Sequence, residues 1–205
     1  MADLVLYHAV PSRSATVRWM LEEVGEPYDV HLLKLSEGDQ QDPDYLAINP
    51  QGKVPALKHK GVVFTEVAAI CTYLADAFPN AKLAVPANDP RRGVYLQWLF
   101  FGPSCMEPAL QDRAFPRKEP ARAAAIGYRD LDTLCDIVAK AVSKGPYIIG
   151  EQFTAADVVI GSGLRWGTMF KLIPERPEFR PYVERLGQRP ASQRADAKDK
   201  ELAGK

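Results

Sequence analysis

Cysteine is scarce in this 205-residue chain and poorly spaced for chemistry. Cys71, Cys105 and Cys135 lie far apart and no C-x-x-C occurs. That excludes a dithiol redox motif and a cysteine-built zinc site, and it fits reduced thiols in a cytoplasmic setting. His8, His31 and His59 have no metal-ligand spacing, so no metal is expected. Neither sign of charge is in excess: Lys+Arg 26 balances Asp+Glu 26. The balance argues against nucleic acid or a membrane surface as the main partner. No apolar run approaches the roughly 18 residues of a spanning helix. Met1-Ala2-Asp3 has no basic region, so no secretory signal is expected. Internal repeats and low-complexity segments are also missing. What remains is an ordinary soluble composition, 46% hydrophobic and 25% charged, and a length suited to one large domain or two small ones.

The most informative stretch runs from Asn49 to Glu66. Pro55 stands at the mouth of an apolar run, where its missing donor belongs at a strand start or edge. Lys60-Gly61 signals a hairpin, a second short apolar run follows, and Glu66 opens a helical pattern. Most X–Pro bonds are trans, so the plain reading of Val54-Pro55 is a trans strand start. A cis bond would instead turn the Val54 N–H and C=O outward to pair with an extended peptide.

The rest of the chain surrounds this stretch in a definite order. Leu4 to His8 reads as a buried strand. Val17, Met20, Leu21 and Val24 follow at helical spacing from Ser14, with Gly25 as the stop. Tyr28 to Leu33 is a second strand, completing a βαβ unit whose crossover should be right-handed. Ser36 to Asp44 reads as a polar loop, and Tyr45 to Ile48 as a short helical turn. Val67, Ile70, Cys71, Leu74 and Phe78 mark another amphipathic helix. Pro79, Pro86 and Pro90 then punctuate a linker.

Everything beyond is helical in pattern. Helices are expected over 91–101, with Gly102-Pro103 as a kink or end, over 121–142, and over 179–186. Thr154 and Asp157 form a capping-box pair ahead of the apolar Val158-Val159-Ile160, with Phe153 and Val158 as the staple. Ser192 to Lys205 is polar and charged and is expected to fray.

These stretches together resemble the cytosolic glutathione transferases. The resemblance rests on Tyr7 to Glu23 with Ser12-Arg13-Ser14, on Asn49 to Leu57, on Thr65-Glu66 leading into a helix, on the Pro-rich linker, and on Phe153 to Asp157. It spans nearly the whole chain in order and is closest to bacterial and fungal members with serine-type or cysteine-free sites. It implies an α/β thioredoxin-like glutathione-binding domain over residues 1–80, a linker over 81–90, and an all-α helical domain over 91–205 with an electrophile pocket. It also implies a homodimer and a cis Val54-Pro55 bond.

The implied chemistry needs the glutathione thiolate, because a thiol is a poor nucleophile. By resemblance Ser12 is the stabilising hydroxyl and Ser14 its rival; the plainer alternative is that one serine only caps the helix. His8 is not expected to act as a base. Val54, beside Pro55, would pair its backbone with the cysteinyl residue, and Lys53 would meet the glycyl carboxylate. Gln40 and Gln51 would reach the tripeptide, and Glu66 would hold the γ-glutamyl amine. Most relatives have Ser after this Glu; here Val67 leaves only a backbone N–H at a helix N-terminus. Phe101, Met106 and Trp166 are the candidate walls for a small hydrophobic electrophile or hydroperoxide, although each taken alone reads better as helical core. Glutathione is thus the implied co-substrate. Conjugation, peroxide reduction and a non-catalytic binding role all remain open, while a thiol reductase would need a cysteine near position 12.

Overall fold

A computed structural model describes residues 2–119 and 121–203. The chain divides into two compact units: residues 1–81 together with 189–205, and residues 82–188. The first unit holds β1 (Leu4–His8), α1 (Ser14–Val24), β2 (Tyr28–Leu32), α2 (Pro43–Ile48), β3 (Ala56–His59), β4 (Val62–Thr65) and α3 (Val67–Ala77). Its sheet runs β2-β1-β3-β4. β1 pairs parallel with β2 and antiparallel with β3, and β3 pairs antiparallel with β4. Lys60 and Gly61 both take positive φ, 49° and 85°, the requirement of a tight two-residue hairpin. Gly25, at φ 80°, ends α1 as its left-handed cap.

The period of two along β1 sends Leu4, Leu6 and His8 to the same buried side. Leu6, Val17, Met20, Leu21, Leu57, Ile70 and Leu74 are fully buried and form the core between sheet and helices. Each such side chain contributes roughly 1.5–3 kcal/mol of burial. Val54-Pro55 is cis, as the resemblance implied, and so is Val10-Pro11.

The second unit begins with residues that the sequence presents as linker. Leu83 and Val85 are buried, and the Ala155 N–H donates to the Leu83 carbonyl at 2.9 Å. Its helices are α4 (Arg91–Phe101), α5 (Glu107–Ala114), α6 (Leu131–Val142), α7 (Ala155–Met169) and α8 (Phe179–Gly187). Gly102-Pro103 opens a π-helical turn, Gly102–Met106, that leads into α5. The helix expected over 121–142 starts only at Leu131, where the Asp130 carboxylate accepts the Thr133 N–H at 2.9 Å. Upstream lies a short 3-10 turn, Ala123–Ala125. The capping box is formed: Thr154 N–H donates to Asp157 at 2.9 Å. Ile148 N–H and the Tyr182 hydroxyl donate to the same carboxylate at 2.7 and 2.9 Å. Burial nonetheless pushes the Asp157 carboxyl up to about 6, against the pull of these donors.

The tail expected to fray is instead α9 (Pro190–Ala203). It packs on α1 and belongs to the first unit, not with residues 91–188; Gly204 and Lys205 lie outside the described residues. Its grip is ionic more than apolar. Arg194 and Lys198 both meet Glu22 of α1, Arg189 makes two bonds to Glu23 at 2.6 and 2.7 Å, and Asp199 meets Arg18 and His8. Glu22 is 6% exposed although glutamate is polar, and α9 is what covers it. Among the described residues no helix is long and apolar enough to cross a membrane.

Candidate active site

The turn between β1 and α1 gathers four hydroxyl, imidazole and carboxylate groups into one chain of contacts. Ser12 Oγ lies 2.5 Å from Ser14 Oγ. Ser14 Oγ lies 2.7 Å from His8 Nδ1. His8 Nε2 lies 3.1 Å from Asp199 Oδ1, which also accepts from Arg18. The backbone closes around it: Ser12 Oγ accepts the Ser14 N–H at 3.1 Å and can donate to the Ala9 carbonyl at 2.7 Å. Ala9 N–H donates to Ser14 Oγ at 3.1 Å. His8 and Ser14 are fully buried, whereas Ser12 keeps part of its surface. Of the two rival serines, only Ser12 is therefore accessible from outside. Ser14 is the first residue of α1, and its hydroxyl is spent inside.

His8, not expected from sequence to act as a base, is placed by the structure between Ser14 and Asp199. A signal was present: with Leu4 and Leu6 on the buried face, period two places His8 there as well, and a buried imidazole needs partners on both nitrogens. Asp199, 191 residues away, had no local signal. Burial raises its pKa, but the bonds from His8 and Arg18 overcome that and hold it below the usual carboxylate range.

The second cluster lies on the loop before β3 and at the start of α3. Asn49 and Tyr45 anchor the loop, donating to the Lys53 carbonyl at 2.7 and 2.6 Å; neither was singled out from sequence. Asn49 Oδ1 also accepts the Gln51 N–H at 3.2 Å. Burial pushes the Tyr45 phenol up to about 12, so it stays a donor; the Asn49 bond pulls the other way. Gly52 has φ +60°, and a Cβ there would stand 2.7 Å from Gln41 Nε2 and 2.9 Å from the Gln40 carbonyl. Glycine thus lets the loop approach the 3-10 turn Asp39–Gln41, which brings Gln40 alongside it. Gln40 Oε1 is buried and has no hydrogen-bond partner among the described residues.

Gln51 and Glu66 come together, Nε2 to Oε1 at 3.3 Å, both exposed. Lys53 is exposed, Val54 half-buried and Pro55 buried. Glu66 caps α3 at φ 69°, a region costly for a residue with a Cβ and one that collects at ligand-binding positions. Val67 is the first residue of α3, where helix geometry leaves backbone N–H groups without an intrahelical acceptor.

The proposed electrophile walls are all in the second unit. Phe101 packs edge-on to Trp98 at 5.2 Å, and Trp166 stacks on Phe170 at 5.3 Å. Met106 is 2% exposed, a core residue of the helical unit. A groove of about 490 Å³ in that unit is lined by Pro177, Phe179 and Val183 and their neighbours, and by none of the three. Cys71 and Cys135 are buried and Cys105 half-buried; burial raises the Cys71 and Cys135 thiol pKa values.

The four-stranded sheet with α1 and α3, the cis Val54-Pro55 loop and Glu66 at the N-cap position of α3 make up a thioredoxin-like domain. The comparisons agree. Residues 2–76 match the glutathione S-transferase N-terminal domain. The chain is 32% identical over 182 residues to glutathione S-transferase GstA of Escherichia coli O157:H7, covering 85% of this chain and 88% of that one. It is 27% identical over 188 residues to glutathione S-transferase 1 of Schizosaccharomyces pombe, covering 87% and 81%. Among solved structures it resembles a Sulfitobacter glutathione transferase homologue with bound glutathione, at 25% identity, TM-score 0.79, and 97% and 99% coverage. It also resembles a ternary complex of BphK, a bacterial GST, at 27% identity, TM-score 0.81, and 95% and 98% coverage. The chain belongs to the glutathione S-transferase family.

Proposed function

We propose that the protein is a glutathione-dependent transferase whose working nucleophile is the glutathione thiolate. The observation that carries this reading is Ser12, a part-exposed hydroxyl at the N-terminus of α1 with its oxygen already fixed by the Ser14 N–H. Its O–H donates to the sulfur, and the helix terminus adds favourable positive potential. Val54 pairs through its backbone with the cysteinyl residue. Glu66, steadied by Gln51, takes the γ-glutamyl amine, and the Val67 N–H takes its carboxylate. Lys53 meets the glycyl carboxylate and Gln40 supports the tripeptide. In conjugation the sulfur electron pair forms a C–S bond while the leaving group departs with its own pair. With a hydroperoxide the same thiolate attacks the terminal oxygen, and a second glutathione completes the reduction to disulfide, alcohol and water. Phe101 and Trp166 are proposed to receive the apolar part of the second substrate, whereas Met106, 2% exposed, is core of the helical unit. A homodimer belongs to the same proposal; Tyr73 and Val94 supply exposed apolar surface for it.

One feature favours a second reading, a non-catalytic glutathione-binding protein: Val67 offers no hydroxyl. Calorimetric titration with glutathione, combined with thiolate absorbance of the complex and assays with a halonitrobenzene and a hydroperoxide, separates the readings. Binding with thiolate and turnover is expected. Binding without turnover of either substrate supports the non-catalytic protein, and absence of binding overturns both.

A further inference from the structure

Resting on the glutathione reading above, we propose that His8 is the acceptor of the glutathione thiol proton, reached through Ser12 and Ser14, and that Asp199 positions it. The directions of the hydrogen bonds support a transfer chain. A carboxylate can only accept, so the Nε2 facing Asp199 at 3.1 Å carries the ring proton. Nδ1 of neutral His8 is then an acceptor, and the contact at 2.7 Å is Ser14 O–H donating to it. Ser14 Oγ in turn accepts the Ala9 N–H and, at 2.5 Å, the Ser12 O–H. Ser12 Oγ accepts the Ser14 N–H at 3.1 Å, and its O–H can face either the Ala9 carbonyl at 2.7 Å or Ser14 Oγ at 2.5 Å; the relay uses the orientation toward Ser14, in which the remaining lone pair takes the thiol proton.

Transfer along this chain conserves every atom. The S–H bond breaks and its electron pair stays on sulfur. That proton joins Ser12 Oγ, the proton of Ser12 moves to Ser14 Oγ, and the proton of Ser14 moves to His8 Nδ1. Every hydrogen bond in the chain reverses, and Ser12 ends as a donor to the thiolate. One relay therefore both removes the proton and creates the donor that stabilises the product.

The surrounding charges match this use. Before transfer, the Arg18 guanidinium and the Asp199 carboxylate offset one another beside a neutral ring. Glu22 on the same helix is separately engaged by Arg194 and Lys198 from α9. After transfer, the imidazolium sits against Asp199 and the new positive charge is matched by the thiolate. A buried imidazole whose only task was structural would need two partners; it would not need a two-hydroxyl path to a part-exposed serine.

The test uses the full-length protein with ¹⁵N-labelled histidine. The His8 resonances are assigned with His8→Gln. Glutathione is expected to move the His8 Nδ1 signal from the acceptor to the protonated position, and S-methylglutathione, which has no thiol proton, is expected to leave it in place. Calorimetry in two buffers of different ionisation enthalpy counts released protons: well under one per thiolate is expected for wild type. Asp199→Asn keeps an acceptor but removes the charge, and should lower kcat about tenfold with KM little changed. His8→Gln should lower kcat by about 10²-fold or more, the range of positioned proton transfer. Binding with thiolate formation, a neutral His8 and one full proton released to buffer overturns the relay alone. No binding of glutathione overturns the transferase reading and the relay together. Because the wild-type measurements stand by themselves, an unstable variant does not blunt the test.

Discussion

From Ser12 a chain of hydrogen bonds runs through buried side chains to α9, whereas around Glu66 the same unit leaves its side chains exposed. Ser14 and His8 are fully buried and Arg18 is 4% exposed. Gln51, Lys53 and Glu66 are exposed, and Gln51 stands 3.3 Å from Glu66. The first region is organised before any ligand arrives, which is what a step that develops charge requires. The second is assembled from exposed side chains whose pairing is worth little until a ligand desolvates it. Substitutions in the first should therefore act on turnover, and those in the second on affinity.

The largest effect is expected at Ser12. Ser12→Ala removes the only hydroxyl proposed to touch the sulfur, and loss of one such donor typically costs about 10²–10³ in kcat. Steady-state kinetics should show that loss with glutathione Kd nearly unchanged. A Kd that rises as much as kcat falls would erase the contrast between the two regions. Next comes Glu66→Ala. A hydrogen bond to a charged group is worth about 1.5–3 kcal/mol, so glutathione affinity should fall roughly 10- to 150-fold by calorimetry, with kcat at saturation retained.

A smaller effect concerns how α9 holds the buried region. For both Glu22 and Asp199, burial raises the carboxyl pKa but is outweighed. Lys198, Tyr28 and Arg194 hold Glu22 down, and His8 and Arg18 hold Asp199 down. A folded pKa below the unfolded one gives stability that is present above the unfolded value, near pH 4, and is lost as pH falls through the folded value. The double variant Arg194→Ala/Lys198→Ala removes the Glu22 share. It should melt a few degrees below wild type at neutral pH, about 2–4 °C for each kcal/mol lost. Thermal melts from neutral to acid should show that gap closing below about pH 4. A gap constant with pH would mean that α9 holds by packing alone.

The same contrast explains what the sequence disclosed. The strand–helix–strand order, the hairpin at Lys60-Gly61 and the Thr154/Asp157 box were legible because each depends on residues within a few positions. The loop before β3, with its cis-Pro, was legible for the same reason, although Tyr45 and Asn49, which pin it, look like ordinary loop and helix residues. Helical spacing alone predicts α6 from residue 121 because spacing does not mark a start; the Asp130–Thr133 cap does, and sets it at Leu131. The region that escaped is α9. Its buried face offers only Ala191, Ser192 and Ala195, too little apolar surface to stand out. Its anchors pair with Glu22, Glu23 and His8 across more than 160 residues. No local pattern encodes such pairs, so a tail that looked solvated became the support of the candidate site.

The smallest predicted change sharpens the comparison most. Val67 is half-buried at the first position of α3, on the proposed affinity side of the site, where the family resemblance implies a serine hydroxyl. Val67→Ser restores that hydroxyl beside the backbone N–H proposed to hold the γ-glutamyl carboxylate. One added hydrogen bond is worth about 0.5–1.5 kcal/mol, so calorimetry should find glutathione bound roughly 2- to 13-fold more tightly. Turnover at saturating glutathione should not move, because the new contact is made equally in ground and transition states. An unchanged Kd would show that the N–H at position 67 already satisfies the carboxylate and that valine there costs nothing. A rise in kcat would show that tripeptide seating at Glu66 and Val67 reaches the sulfur, and the division between an organised thiol end and an adaptable amine end would have to be abandoned.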